Sequence, residues 1–352
     1  MARVACALIL SLAAVPGARP QDTAQTSPPP PPPGALPLFS DHQVLRLTLE
    51  TDLRTLLRDR GENRKEHPAR LSYVDATGTR VSVPLEVRTR GNFRLRRMVC
   101  AFPPIRLDFP KDSTPGTLFA GQDKVKLVTH CQNRRSYEQA VLHEYLIYRI
   151  LNLSTDVSYR ARLVRMTYID TSGREDSLTR YAILLESDEA LAGRHGVRVF
   201  DQKGVTQEMT DPEQMTLVAL FQYLIGNTDW SVAALHNITV LTDSLGRFFA
   251  VPYDFDWSGL ISAPYAFPDP RIGTKTVRER VYRGYCRAPE EIAPLLQRFA
   301  SQKDAIYALY RSQEGLERQQ LEQALRYFDE FFRVLADPRA ARREFSRNCP
   351  GG

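Results

Sequence analysis

The sequence predicts an α+β protein with two lobes, a β-rich N-terminal lobe at about 39–200 and a helical C-terminal lobe at about 201–350. Three observations carry that expectation. Short runs of alternating apolar and polar residues fill the first half, and three amphipathic helical stretches close the second. Between them lies an acidic hairpin, Leu224 to Gly259, at the junction where ligand sites tend to form. Strands come first and helices later, which argues against the alternating β/α units of a doubly wound sheet.

At 352 residues, 43% hydrophobic and 25% charged, the composition is that of a soluble globular protein with a substantial core. The net charge of +6 is carried by scattered arginine clusters such as Arg88/Arg90, Arg94/Arg96/Arg97, Arg160/Arg162/Arg165 and Arg278/Arg280/Arg283. No basic stretch interleaves aromatics in the manner of a nucleic-acid module, so no nucleic-acid partner is expected. Arginines of this kind suit phosphate, an acidic partner or plain solvated surface.

Met1-Ala2-Arg3, the apolar run Val4 to Val15 and the small residues up to Ala18 describe a secretory signal peptide, residues 1–18, and hence an exported protein. The run is too short to anchor in a bilayer, and no later segment is expected to span a membrane. Residues 19–38, with six consecutive prolines from Pro28 to Pro33, read as an extended linker. Beyond Cys6 in the signal stand Cys100, Cys131, Cys286 and Cys349, which allow up to two disulfides in an oxidising compartment. Cys100 with Cys131 is the favoured pair, joining neighbouring strand ends, with Cys286 and Cys349 tying down the C-terminus. None shows the close spacing of a zinc site.

From residue 39 the elements follow in order. Val44 to Glu50 alternates strictly and reads as a half-buried strand, and Arg58 to His67 as a loop or short helix. A hairpin pairs Arg70–Val74 with Val81–Arg88, and further strands are expected at Ile105–Phe109 and Lys124–Thr129. Ser136 and Gln139 have capping-box spacing and open a helix with Val141, Leu142, Tyr145, Leu146 and Ile150 on one face. Arg160–Asp170 and Leu178–Glu186 form a strand pair. Asp211-Pro212-Glu213 starts a helix that Gly226 ends, and the last helices are expected at about 289–300, 302–313 and 316–336.

The chemistry concentrates in the hairpin. A loop acid, Asp229, precedes His236-Asn237, and an apolar strand pair then returns the chain to Asp254-Phe255-Asp256. Metal-assisted phosphoryl transfer asks for these parts: one carboxylate to orient the attacking hydroxyl, and an amide and a second carboxylate to hold cations on the nucleotide phosphates. Asp229 alone reads equally well as a loop cap, and Asp254 and Asp256 as turn residues. Together they stand out, because carboxylates beside buried surface are costly unless paired or metal-bound. Lys126 is the favoured phosphate-binding cation, with Lys124 expected to face the other way and Arg106 as its rival. Glu144 is its candidate ion-pair partner.

Over about 44–260 the chain resembles the CotH-like family of atypical, secreted or spore-coat protein kinases. The resemblance rests on Thr89-Arg90-Gly91-Asn92, the strand, loop and helix from Lys124 to Leu151, the strand Tyr181 to Glu186, Asp229, and Asp254-Phe255-Asp256. It implies an atypical protein-kinase-like bilobal fold and an ATP-dependent enzyme. That enzyme would move the γ-phosphate to a hydroxyl, that of a protein Ser or Thr, with Mg²⁺ or Mn²⁺. By this resemblance Asp229 is catalytic, Asp254 binds the metal, and Asn237 holds a second cation with Asp256 close by. Lys126, Glu144, Glu186 and Arg90 would face the nucleotide. Two other readings stand beside it: a pseudokinase or binding scaffold without catalysis, and a sugar-nucleotide-dependent transferase using the Asp-Phe-Asp motif.

Overall fold

The computed structural model describes Met1 and residues 36–347. The expected signal peptide, most of the Pro-rich linker and Cys349 lie outside the described residues. Seven strands follow in the first half: β1 (Leu45–Thr51), β2 (His67–Val74), β3 (Arg80–Thr89), β4 (Ile105–Asp108), β5 (Lys124–Val128), β6 (Ala161–Asp170) and β7 (Leu178–Leu185). They do not form the open sheet of a kinase-like lobe. They close into a barrel in the order β1-β2-β3-β4-β5-β7-β6, and β6 returns to pair with β1 in parallel, Leu45 opposite Val164 through to Thr51 opposite Asp170. The expected kinase-like bilobal fold is therefore corrected to a closed mixed barrel with helices packed on it.

The physical reason is the inner face. Leu47, Leu49, Leu71, Val83, Leu85, Val87, Ile105, Leu107, Val125, Leu127, Val164, Met166 and Leu184 all recur at two-residue spacing and are fully or nearly fully buried together. A sheet apolar on one face along every strand buries that face by curling on itself. The barrel interior is thereby filled with side chains, and any site must lie outside it. Leu38 and Phe39 join this core, so the fold begins slightly before residue 39. Lys124 and Lys126 both face outward around the buried Val125, as strand periodicity demands, and not to opposite sides.

A second core wraps the outer side of β6 and β7. It is built by α2 (Arg135–Ser154), α4 (Pro212–Ile225), the sheet of β8 (Arg198–Phe200), β9 (Ile238–Thr242) and β10 (Phe248–Pro252), and the closing helices. Before β2 runs α1 (Leu53–Arg58), and α3 (Asp188–Arg194) follows β7. The closing helices are α5 (Pro289–Ser301), α6 (Lys303–Ser312), α7 (Arg318–Ala336) and α8 (Pro338–Arg342). Because α2 buries Leu142 and Leu146 in the same cluster as Leu220, Tyr310 and Phe328, the expected lobe boundary near 200 does not divide the packing.

Helix α4 behaves as its sequence requires. The Asp211 carboxylate accepts from the Gln214 N–H, Pro212 opens the helix, and Gly226 ends it in the left-handed region at φ 64°. A Cβ on Gly226 would lie 1.9 Å from the Tyr327 hydroxyl, so glycine is also demanded by space. The capping box at Ser136 does not form: α2 starts at Arg135 without a side-chain cap. Gln139 is used elsewhere, donating to Gly315 O and accepting from the Glu317 N–H, which pins the start of α7. Cys100 and Cys131 form the favoured disulfide. Cys286 is disulfide-bonded as well.

Candidate functional site

The turn after α4 sets the first acid. Asn227 donates to Gln222 and accepts from the Asp229 N–H, a loop fixed from both sides. The Asp229 carboxylate is then held at both oxygens: His236 Nε2 lies 2.8 Å from Oδ1, and Asn237 Nδ2 donates to Oδ2 at 3.0 Å. The same Nδ2 donates to the Asp229 carbonyl at 2.8 Å, leaving Asn237 Oδ1 as the atom able to take a cation. The bond to Asp229 raises the His236 pKa above its ordinary value.

The hairpin delivers the second acid pair to the same place. Tyr253 N–H donates to the Asn237 carbonyl at 3.0 Å, closing β10 against the start of β9. Asp254 follows with φ 59°, and Asn237 has φ 52°, both in the left-handed region that non-glycine residues seldom adopt. Asp254 N–H donates to the Tyr148 hydroxyl on α2 at 3.0 Å. Between the two acids, Phe255 is fully buried against Tyr148 and Phe221 and fixes the tip.

Sequence reasoning missed the group at the centre. Arg94, buried in the turn after β3, places Nη2 3.1 Å from Asp254 and Nε 3.4 Å from Asp256. Tyr265 donates to the same Asp256 oxygen, Oδ2, at 2.9 Å. Glu144 on α2 faces this cluster with 2% exposure, and its Oε1 has no hydrogen-bond partner. Burial pushes the Glu144 carboxyl well above the carboxylate range, opposed by Arg94 and reinforced by Asp256 and Asp254. Burial raises Asp256 too, against Arg94 and with Asp254 and Asp229 adding to the shift. Arg94, with Arg90 acting on Glu144 and Asp254 from farther off, serves the buried Glu144 and Asp256 and the half-exposed Asp254.

Around this cluster the other expected residues are unevenly placed. Arg90 lies close enough to Asp254 to feel its charge, and its guanidinium has no carboxylate in ion-pair range among the described residues. Lys126 is not paired with Glu144, which corrects the expected ion pair. Its Nζ lies 2.7 Å from Asp188 in the first turn of α3 and packs over the rings of Tyr253 and Tyr159. Tyr159 donates to the same Asp188 oxygen at 2.8 Å. Lys126 thus borders the site through Tyr253, the residue before Asp254. Arg106, its rival, is bound to Glu66 and Asp108.

Glu186 is not part of the site. Both oxygens are consumed by Arg194, and Oε2 also accepts from the Arg160 N–H. Asp188 had a sequence signal: Ser187-Asp188-Glu189 is a hydroxyl cap followed by first-turn acids, and Ser187 does accept from the Ala190 N–H. Arg94 had none, since nothing local separates it from Arg96 and Arg97.

No group of three His, Cys, Asp or Glu side chains stands at metal-holding distance among the described residues. The donor chemistry nevertheless fits a hard divalent cation. Asp254, Asp256 and Asn237 offer oxygen atoms; burial chiefly, with the neighbouring carboxylates adding, raises Asp256 and Glu144, and a cation bound beside them would favour their charged forms. A cleft of about 840 Å³ lies elsewhere on the barrel, between Leu45, Val74 and Arg165, and includes none of these groups. No helix of the described residues is long and apolar enough to cross a membrane. No protein-family model matches the chain, and a search of curated proteins returns no match.

Proposed function

We propose that this chain is an exported phosphotransferase that moves the γ-phosphate of ATP to a hydroxyl, that of a protein Ser or Thr, with Mg²⁺ or Mn²⁺. The observation that carries the reading is the meeting of Asp229, Asn237, Asp254 and Asp256 around one tip, with Glu144 left unsatisfied beneath them. The ordered motifs shared with the CotH-like family support it, as does the disulfide, which suits an oxidising compartment.

In this reading Asp254, Asp256 and Asn237 Oδ1 would hold the cation, which would supply charge neutralisation on the nucleotide phosphates. Arg90, with no ion-pair partner of its own, binds a phosphate oxygen, and Lys126 does so after exchanging Asp188 for the nucleotide. Asp229 orients the acceptor hydroxyl and takes its proton; the bonds from His236 and Asn237 fix the carboxylate for that role. Tyr148 and Phe255 keep the tip rigid from below.

One observation favours the scaffold reading. Arg94 already bridges Asp254 and Asp256, as a resident cation would. The test is labelling of the full chain with γ-labelled ATP and Mn²⁺, wild type beside Asp254→Ala. The transferase reading expects label on the wild type alone. No label on either, with ATP still raising the melting temperature, means a nucleotide-binding scaffold. A rise with a sugar nucleotide and none with ATP would favour the sugar-nucleotide transferase. No label and no shift with either ligand sinks both transferase readings and any nucleotide-binding scaffold.

A further inference from the structure

Beside the acidic tip lies an aromatic shelf that the chemistry above leaves unused. Phe93, next to Arg94, meets Trp257 at 5.3 Å, Tyr265 at 6.2 Å and Phe267 at 6.4 Å between ring centroids, and Trp257 meets Phe267 at 4.7 Å. The shelf is continuous with the site at two points. Trp257 follows Asp256 in sequence, and Tyr265 donates its hydroxyl to the Asp256 carboxylate. Its outer member, Phe267, is 54% exposed, one of few large apolar side chains so placed. An exposed aromatic surface abutting a polar centre is how proteins present a contact for a partner chain.

The rim is basic. Arg96 lies over the Phe93 ring at 5.4 Å, and the neighbouring Arg97 reaches only the Arg58 carbonyl at 3.5 Å. Both are exposed, and neither meets a carboxylate among the described residues. The single acid on the loop that carries Phe267, Asp269, is already tied to Arg271 at 2.6 Å. With Arg96 on the Phe93 ring and Arg97 next to it in sequence, this rim is positive where the adjoining tip carboxylates are negative, so it complements an acidic side chain that docks at the rim.

Resting on the transferase reading, we infer that this shelf docks the acceptor, a polypeptide segment with acidic residues flanking its hydroxyl. The aromatic rings take an apolar side chain of that segment, and Arg96 and Arg97 take its carboxylates. If the rings only pin the loop carrying Phe267, peptide charge makes no difference.

The test uses the full chain and two synthetic peptides without tryptophan, each with one central Ser, flanked by Glu-Phe or by Lys-Phe. The sequence has only two tryptophans, and Trp230 is 3% exposed, so a change in emission on peptide binding reports mainly on Trp257. The Glu peptide is expected to shift emission at about fivefold lower concentration than the Lys peptide, the scale of two exposed charge pairs. Arg96→Glu with Arg97→Glu is expected to reverse that order. Because the variant gains affinity for the Lys peptide, misfolding cannot mimic the result. Equal midpoints in the wild type, or an order unmoved by charge reversal, overturn the inference. Labelling of the same samples with ATP separates the two claims. Label on both peptides without preference rejects the shelf and keeps the transferase; preferential binding without label does the reverse.

Discussion

Glu186 and Glu144 are each 2% exposed, yet the regions around them are built to opposite ends. At the end of β7, Glu186 meets the Arg194 guanidinium with both oxygens and a backbone N–H besides. Asp170 on β6 is treated likewise: Ser172 and the N–H groups of Leu53, Ser172 and Arg174 hold its pKa far below the usual range. Under the acidic tip, Glu144 has an oxygen with no partner and shares Arg94 with Asp254 and Asp256. A buried carboxylate that is fully bonded belongs to the architecture. One left short of partners marks a place where something else is meant to bind.

Substitutions separate the two regions. The largest effect is expected at the tip. Asp254→Ala and Asp229→Asn should each lower phosphoryl transfer by about 10²–10⁴, with unchanged far-ultraviolet dichroism. A variant retaining wild-type transfer would remove that residue from the mechanism. Next comes the saturated region, where Glu186→Ala should cost about 3–5 kcal/mol in denaturant unfolding, because Arg194 is left buried and unpaired. The folded fraction should keep its transfer rate; a lost rate with intact stability would place Glu186 in the site after all.

A similar cost, about 3–4 kcal/mol, is expected from Cys100→Ser with Cys131→Ser, since the bond closes a loop 31 residues long. That loop starts after the turn bearing Arg94, so nucleotide affinity should change little once the protein is folded. A large affinity loss measured by calorimetry would mean that the disulfide also positions Arg94.

The smallest effect is a pH slope. The folded Glu144 carboxyl, raised to about 8, lies above its unfolded value near 4.5. The folded state keeps a proton that the unfolded state has released, so stability is present at low pH and is lost as pH rises through that window. The melting temperature of the metal-free protein should fall from about pH 6.5 to about pH 8.5, and Glu144→Gln should flatten the decline. His42, His130 and His143, each pushed down to about 4 by burial, act below 6.5, whereas His236, raised by its bond to Asp229, adds to the decline, so the difference between wild type and Glu144→Gln isolates the Glu144 part. Parallel curves for wild type and variant would show that Glu144 does not hold the proton.

Much of the fold was legible because it is local. The strict alternation at Val44–Glu50 gave β1, and Asp211-Pro212 with Gly226 bounded α4 to the residue. The three closing helices fell within two residues of expectation at either end. Closure of the barrel was not legible, because it depends on β1 pairing in parallel with β6 across more than a hundred residues. No run of sequence reports such a pairing, so the expectation was a β-rich lobe of a bilobal kinase-like fold. At the site, Asp229, Asn237, Asp254 and Asp256 were found from their order around a hairpin, and the hairpin does bring them together. Arg94 was hidden because burial alone distinguishes it from Arg96 two residues later. The Lys126 partner was misassigned because α3, with Asp188, was too short to show a helical period.

The central claim is that the under-bonded carboxylates at the tip are a cation site, and Mn²⁺ binding tests it without any turnover. Isothermal titration of the full chain with Mn²⁺, with and without a non-hydrolysable ATP analogue, should show binding that the analogue strengthens and that Asp254→Asn removes. Binding equally strong in Asp254→Asn, or none in the wild type with the analogue present, would contradict the account and leave these carboxylates to Arg94 and Arg90.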